Sequence, residues 1–154
     1  MENYINGIGL RATFGTIVTN GVNVFYQMPE LKPSVTTDFQ DSNGVDTDLA
    51  DKHFTSRTFV LNCTLEADNI ADFNLKFWGL FGLLKINGVY SLYNDFYNMT
   101  LNVFYQKQIS PSGLYQTSSG GIGQQFQLQF TEGDPFLNIP VVELVDDLNR
   151  VLVP

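Results

Sequence analysis

Positive charge is scarce in this sequence. Eight Lys and Arg stand against sixteen Asp and Glu over 154 residues, giving a net charge of −8. Nucleic-acid binding rests on Lys and Arg neutralising phosphates, so this balance excludes a specific DNA- or RNA-binding module. Cysteine and histidine are nearly missing as well, with Cys63 and His53 the sole members of each type. One thiol forms no internal disulfide, and one Cys with one His cannot close a four-ligand zinc site, so no metal or cofactor centre is expected. Long hydrophobic runs are absent: the longest, Phe77 to Leu84, falls far short of the roughly 20 residues that cross a bilayer. No membrane partner is therefore expected. Met1 to Leu10 contains Glu2 and several Asn and Gly in place of a basic stretch followed by an apolar one, which predicts a chain made in the cytoplasm.

What the chain does have is a core. Hydrophobic residues make up 44%, charged residues 16%, and the aromatics are 13 Phe, 7 Tyr and 1 Trp. That is globular composition, and the length fits a single domain over residues 1–154.

Alternation organises much of it. Leu10, Ala12 and Phe14 alternate with polar or small residues, Thr19-Asn20-Gly21 is a turn signal, and Val22 to Tyr26 is β-branched and aromatic; together they predict a β-hairpin over residues 10–28. Residues 33–51, with Asp38, Asp41, Asp46, Asp48 and Asp51, read as a long exposed loop. Phe54 to Leu65 predicts a central strand with Phe59, Leu61 and Cys63 on one face. The period then changes. Ile70, Phe73, Phe77, Leu80/Phe81 and Leu84 recur at helical spacing behind an Asp68 or Asn69 N-cap, so Asp68 to Lys85 is one amphipathic helix. Leu75, Trp78 and Leu83 widen its apolar stripe beyond one face, which predicts contact on a second side.

After the Asn87-Gly88 turn, Val89–Tyr93 and Met99–Lys107 read as two strands, and Ser110–Gly123 as a Gly/Ser loop. Gln124–Thr131 follows with Phe126, Leu128 and Phe130 facing in and Gln125, Gln127 and Gln129 facing out, an antiparallel strand with one solvated face. Residues 137–154 have helical spacing but Val-rich composition, and are read as a short helix or docking arm. The sum is about six strands around one helix, a mainly-β or α+β sandwich.

No catalytic constellation emerges. His53 is the one conventional base and reads as a loop residue beside Asp51 and Lys52; Cys63, on the apolar side of a strand, reads as an inert core thiol. The loop aspartates lack EF-hand register and the closing Glu, so calcium is not favoured. Glu132 and Asp134 form no recognisable carboxylate pair for glycoside hydrolysis, and Gly120-Gly121-Ile-Gly123 lacks the Lys-Ser/Thr of a phosphate loop. Tyr90, Tyr93, Tyr97, Phe104 and Tyr115 are read as exposed aromatics, serving a protein interface or a sugar platform.

The order of motifs adds a resemblance. Asn43-Gly-Val-Asp46-Thr-Asp48-Leu, Phe54-Thr-Ser-Arg57-Thr-Phe-Val-Leu, the amphipathic helix, Gly88-Val-Tyr-Ser-Leu92, Val103-Phe-Tyr105, and Phe126-Gln-Leu-Gln-Phe130 running into Asp134-Pro135-Phe136 resemble the distal tail and tail-tube-like proteins of tailed bacteriophages, over roughly residues 40–136. The resemblance implies a β-sandwich or curled barrel flanked by a helix. It further implies a non-enzymatic virion tail protein, forming a homo-hexameric ring around the DNA channel between tail tube and baseplate proteins. Distal tail proteins often carry a second, C-terminal domain, sometimes with a sugar-binding fold, for which this chain is too short, so receptor binding is not carried over. On that reading Trp78, Phe81, Leu75 and Phe104 are candidates for the subunit interface, and Asp38, Asp41, Asp46 and Asp48 for the channel lining, where acidic groups would let DNA slide. The competing reading is a small carbohydrate-binding module using the turn from Tyr93 to Tyr97.

Overall fold

The computed structural model describes residues 1–33, 36–37, 46–47 and 53–135. Ten strands run in chain order: β1 (Asn3–Ile5), β2 (Ile8–Gly9), β3 (Thr16–Asn20), β4 (Thr36–Thr37), β5 (Asp46–Thr47), β6 (Thr58–Ala67), β7 (Tyr90–Asn94), β8 (Met99–Ile109), β9 (Tyr115–Gln116) and β10 (Ile122–Glu132). Two α-helices, α1 (Leu10–Phe14) and α2 (Ile70–Leu84), and a 3-10 helix over Val22–Tyr26 complete the described elements. Eight strands make one sheet in the order β2-β1-β7-β8-β10-β6-β3, with β9 also on β10; β4 and β5 form a separate ribbon. Every pairing is antiparallel. The sheet does not close, so the fold is α+β, a curled antiparallel sheet with one main helix.

Alternation decides which face is buried. On β10 the buried Phe126, Leu128 and Phe130 stand opposite Cys63, Leu61 and Phe59 of β6, so both strands place their apolar sets on one side. Leu101 and Val103 of β8, Leu92 of β7 and Ile5 of β1 join the same buried core. A bulge between Gln129 and Phe130 keeps that alignment on the β8 side, where the partners step from Lys107 to Tyr105. α2 closes the core from above, its Phe77 ring standing edge-on to Phe126 at 6.5 Å.

The amino-terminal fifth departs from the hairpin expected over residues 10–28. Leu10–Phe14 is helical, and only β3 is a strand, paired to β6. Leu10 and Phe14 are both buried while Ala12 is exposed. A spacing of four satisfies both a period of 2 and one of 3.6, so five residues could not distinguish them. Two glycines then set the path. Gly15 ends α1 at φ +60, and a Cβ there would lie 2.4 Å from the Glu66 carbonyl; Gly21, at φ +99, passes 2.1 Å from the Val60 carbonyl by the same measure. The chain therefore turns flat against β6 and enters the 3-10 helix instead of returning as a strand. The first hairpin lies earlier, where Asn6 and Gly7, both at positive φ, join β1 to β2.

Elsewhere expectation and structure agree on element type. The strands at 58–67, 90–94, 99–109 and 122–132 and the helix at 70–84 fall where alternation and helical spacing put them. The expected loop over 33–51 contains the β4–β5 ribbon, and its stems are tied by Lys32 N–H to the His53 carbonyl (2.8 Å) and Thr55 N–H to the Glu30 carbonyl (2.7 Å). The expected Gly/Ser loop contains β9. The arm at 137–154 lies outside the described residues. Among the described residues, no helix is long and apolar enough to cross a membrane.

Candidate functional site

The helix α2 is built from its first turn. Asn69 is the N-cap, its side-chain oxygen accepting the Asp72 N–H at 3.0 Å. Asp72 in turn accepts the Asp68 N–H at 3.1 Å and pairs with Lys76 one turn on at 2.7 Å. The hydrogen bond from Lys76, then that from Asp68, holds the Asp72 carboxyl below its ordinary value. At the other end the Tyr90 hydroxyl lies against the carbonyls of Leu84 (2.6 Å), a last-turn acceptor that no helical N–H reaches, and of Ile86, just past the C-cap Lys85. Tyr90, expected to be an exposed aromatic, is buried instead, and that burial raises its hydroxyl pKa.

Around the helix, Phe73, Leu80, Leu83 and Leu84 are buried against the sheet. Leu75, Trp78 and Phe81 point away, 75, 61 and 47% exposed, at a spacing of three that lines them up on one side. This ridge is anchored. Phe77 stacks on Phe73 at 5.7 Å, Trp78 stands edge-on to Phe77 at 5.3 Å, and Phe81 edge-on to Trp78 at 5.9 Å, so the outer rings rest on inner ones. Helix propensity does not require three large apolar side chains in solvent, and the ridge is an apolar surface that no described residue covers.

The structure brings together three of the four expected interface residues. Phe104 is separate: it is half-buried on β8 opposite Thr131, with Val103 next to it facing the core, so it sits on the sheet face away from α2. A cleft of about 490 Å³ on that face is lined by Thr19, Asn62, Thr64, Ser110, Ser112, Gln125 and Gln127, among others. Of the channel-lining candidates, Asp46 is in β5, while Asp38, Asp41 and Asp48 lie outside the described residues.

The remaining candidates have structural settings. Cys63 is buried, and burial alone pushes its thiol up to about 12, far from a nucleophile's range. Glu132 is wholly buried on the core face of β10, gripped by Arg57 through both carboxylate oxygens; the same guanidinium donates to the carbonyls of Val24 (3.0 Å) and Gln27. It ties the 3-10 helix to the sheet. His53 lies in a surface cleft of about 580 Å³ with Lys32, Ser56 and Asp134. Among the described residues no group of His, Cys, Asp or Glu is gathered as metal ligands. The turn after β7 offers no flat sugar platform: Phe96 and Tyr26 both stand edge-on to Tyr97, each at 5.0 Å, and the Tyr93 hydroxyl is bonded to Asn98 at 3.1 Å.

Sequence reasoning missed two features here. Glu132 keeps the parity of Phe126, Leu128 and Phe130, and that parity was the signal for its burial. Tyr26 read as part of a strand, so its meeting with Phe96 and Tyr97 had no signal at all.

No family model matches the chain, and no curated protein matches it. Among solved structures it is similar to the Dit protein (gp 19.1) of bacteriophage SPP1, described as a paradigm of the hub adsorption apparatus in phages infecting Gram-positive hosts. The likeness has a TM-score of 0.59 at 12% identity, over 87% of this chain. The chain spans half the length of that protein, matching 50% of it. The chain thus shares its fold with about half of that phage protein.

Proposed function

We propose that this chain is a structural subunit of a phage or prophage tail, a distal-tail or tube-like protein that forms a homo-hexameric ring around the DNA channel and joins the tail tube to the baseplate. The observation that carries the reading is the fold shared with the SPP1 hub protein over 87% of this chain. Two physical features support it. A closed ring needs apolar surface that one copy leaves uncovered, and the Leu75–Trp78–Phe81 ridge is such a surface. A net charge of −8 repels the phosphate backbone, so DNA passes a ring of such subunits without sticking. Asp38, Asp41, Asp46 and Asp48 are placed by this reading toward the lumen. The chain acts in the virion tail as scaffold, with no catalytic step.

The test is solution mass by light scattering over a range of concentrations, with negative-stain imaging of the largest species. Six copies of the 17.3 kDa chain give about 104 kDa, and a ring with a central hole is the expected image. A chain that stays monomeric throughout and binds glycans in an array screen would replace this reading with the carbohydrate-binding one.

A further inference from the structure

A ring built from one kind of subunit needs two different patches per copy that fit each other. The α2 ridge supplies one. A second uncovered apolar patch lies at the end of the sheet where β7 turns into β8 and the 3-10 helix ends. There Tyr26, Met28 and Phe96 are 67, 88 and 73% exposed. Tyr97 joins Tyr26 to Phe96 and packs against the buried Phe25 at 5.9 Å, with Met28 two residues beyond Tyr26 in the chain. This cluster therefore also rests on the core. The two patches are on different elements: the ridge lies over Phe126 near the middle of β10, and the cluster lies beyond that strand's Glu132 end, past the β7–β8 pairing of Asn94 with Met99.

We infer that the Tyr26–Met28–Phe96 cluster of one copy receives the Leu75–Trp78–Phe81 ridge of the next. This rests on the ring-forming reading above and names its second surface. Size supports it. At roughly 150–250 Å² per aromatic side chain, each patch leaves on the order of 300–400 Å² uncovered. Joined, they supply most of the roughly 900 Å² of apolar area in a standard interface of about 1,600 Å². Charge supports it as well. The ridge is flanked on its own helix by Lys85 and by Lys76, which pairs with Asp72 at 2.7 Å, while the cluster is flanked by Asp95 and by Glu2, whose N–H bonds the Asp95 carboxylate at 2.7 Å. In a chain of net charge −8, copies repel except where such local complements meet. Ridge on ridge would leave the cluster uncovered.

Trp78 is the one tryptophan, so its emission reports the ridge alone. The full-length protein is followed by fluorescence and light scattering across concentration, beside W78E and F96E, with Y26E as a second cluster variant; circular dichroism checks that each is folded. Wild type is expected to shift its emission to shorter wavelength as its mass rises. W78E, F96E and Y26E each remain monomeric. Titrating W78E, which has no tryptophan, into F96E restores the blue shift, saturating at one to one with a doubling of mass and nothing larger. If F96E and Y26E assemble like wild type while W78E does not, the ring stands and the cluster is overturned as its acceptor. If W78E and F96E fail to complement although wild type assembles, the contact is of another kind and the inference falls. A wild type monomeric at every concentration overturns both readings.

Discussion

Glu132 and Trp78 break the same rule in opposite directions. Glu132 is a carboxylate on the core face of the sheet, wholly buried; Trp78 is the largest apolar side chain in the protein and stands in solvent. The difference between them is where the partner is. Arg57 meets both Glu132 oxygens from within the chain, across a strand pair, and its remaining N–H groups go to the carbonyls of the 3-10 helix. Trp78 is held in place by Phe77 and Phe81, but nothing described covers its outer face. An off-pattern residue satisfied within the chain serves the fold. One left ordered and uncovered by the described residues is where the proposed ring contact falls.

The strongest way to break this contrast is at Glu132. Replacing it with Ala leaves the Arg57 guanidinium charged and largely buried, and losing one member of such a pair costs about 3–5 kcal/mol. Equilibrium urea denaturation is expected to show that loss. Replacing both residues, R57M with E132L, should recover more than half of it, because no uncompensated charge remains. A loss below about 1 kcal/mol in E132A would mean that the pair is decoration and that Glu132 is no better satisfied than Trp78.

Next in size is a comparison within α2 itself. Leu80 is buried against the sheet and Leu75 points outward, five residues away on the same helix. Leu80→Ala opens a cavity and is expected to cost about 2–5 kcal/mol. Leu75→Ala is expected to stay within about 0.5 kcal/mol in the monomer while weakening assembly. Equal losses in stability would show that the ridge belongs to the core.

How much of this was legible depends on what each signal measures. The strands around Phe59, Leu101 and Phe126 and the helix capped by Asn69 were readable, because many residues repeat one period and each repeat is independent support. The segment from Leu10 to Phe14 was not, since two buried residues four apart fit a helix and a strand equally. Tyr90 looked exposed on composition alone; its hydroxyl is needed at the end of α2, a tertiary fact with no local trace. The ridge was half legible. The sequence showed that α2 is apolar on more than one side, and did not show that Phe104 belongs to the opposite face of the sheet. Nor did it show that Tyr26 and Phe96, 70 positions apart, share Tyr97. Periodicity reports burial along one element; which elements meet is set by topology.

The smallest effect sharpens the rule about partners on the buried face itself. Cys63 and Glu132 point to the same side of the sheet, and one is neutral while the other is paired. Burial is the only cause of the raised Cys63 pKa, from 9.0 to about 12, so a thiolate there lacks the relief that Arg57 gives the carboxylate. In the unfolded chain the thiol ionises near 9.0, whereas the native protein keeps its proton until about 12. The native state therefore binds more protons across that window. The thiol's stabilising contribution is full below pH 9 and is lost as pH rises, at up to about 1.4 kcal/mol per pH unit. Urea midpoints for wild type and C63A at pH 8 and pH 10 separate this from tyrosine ionisation, which both share. Wild type is expected to lose about 1.4 kcal/mol more than C63A between those points. Parallel losses would mean that the Cys63 thiolate finds compensation inside the fold, and burial without a partner would no longer explain why this face admits a carboxylate at Glu132 beside Arg57.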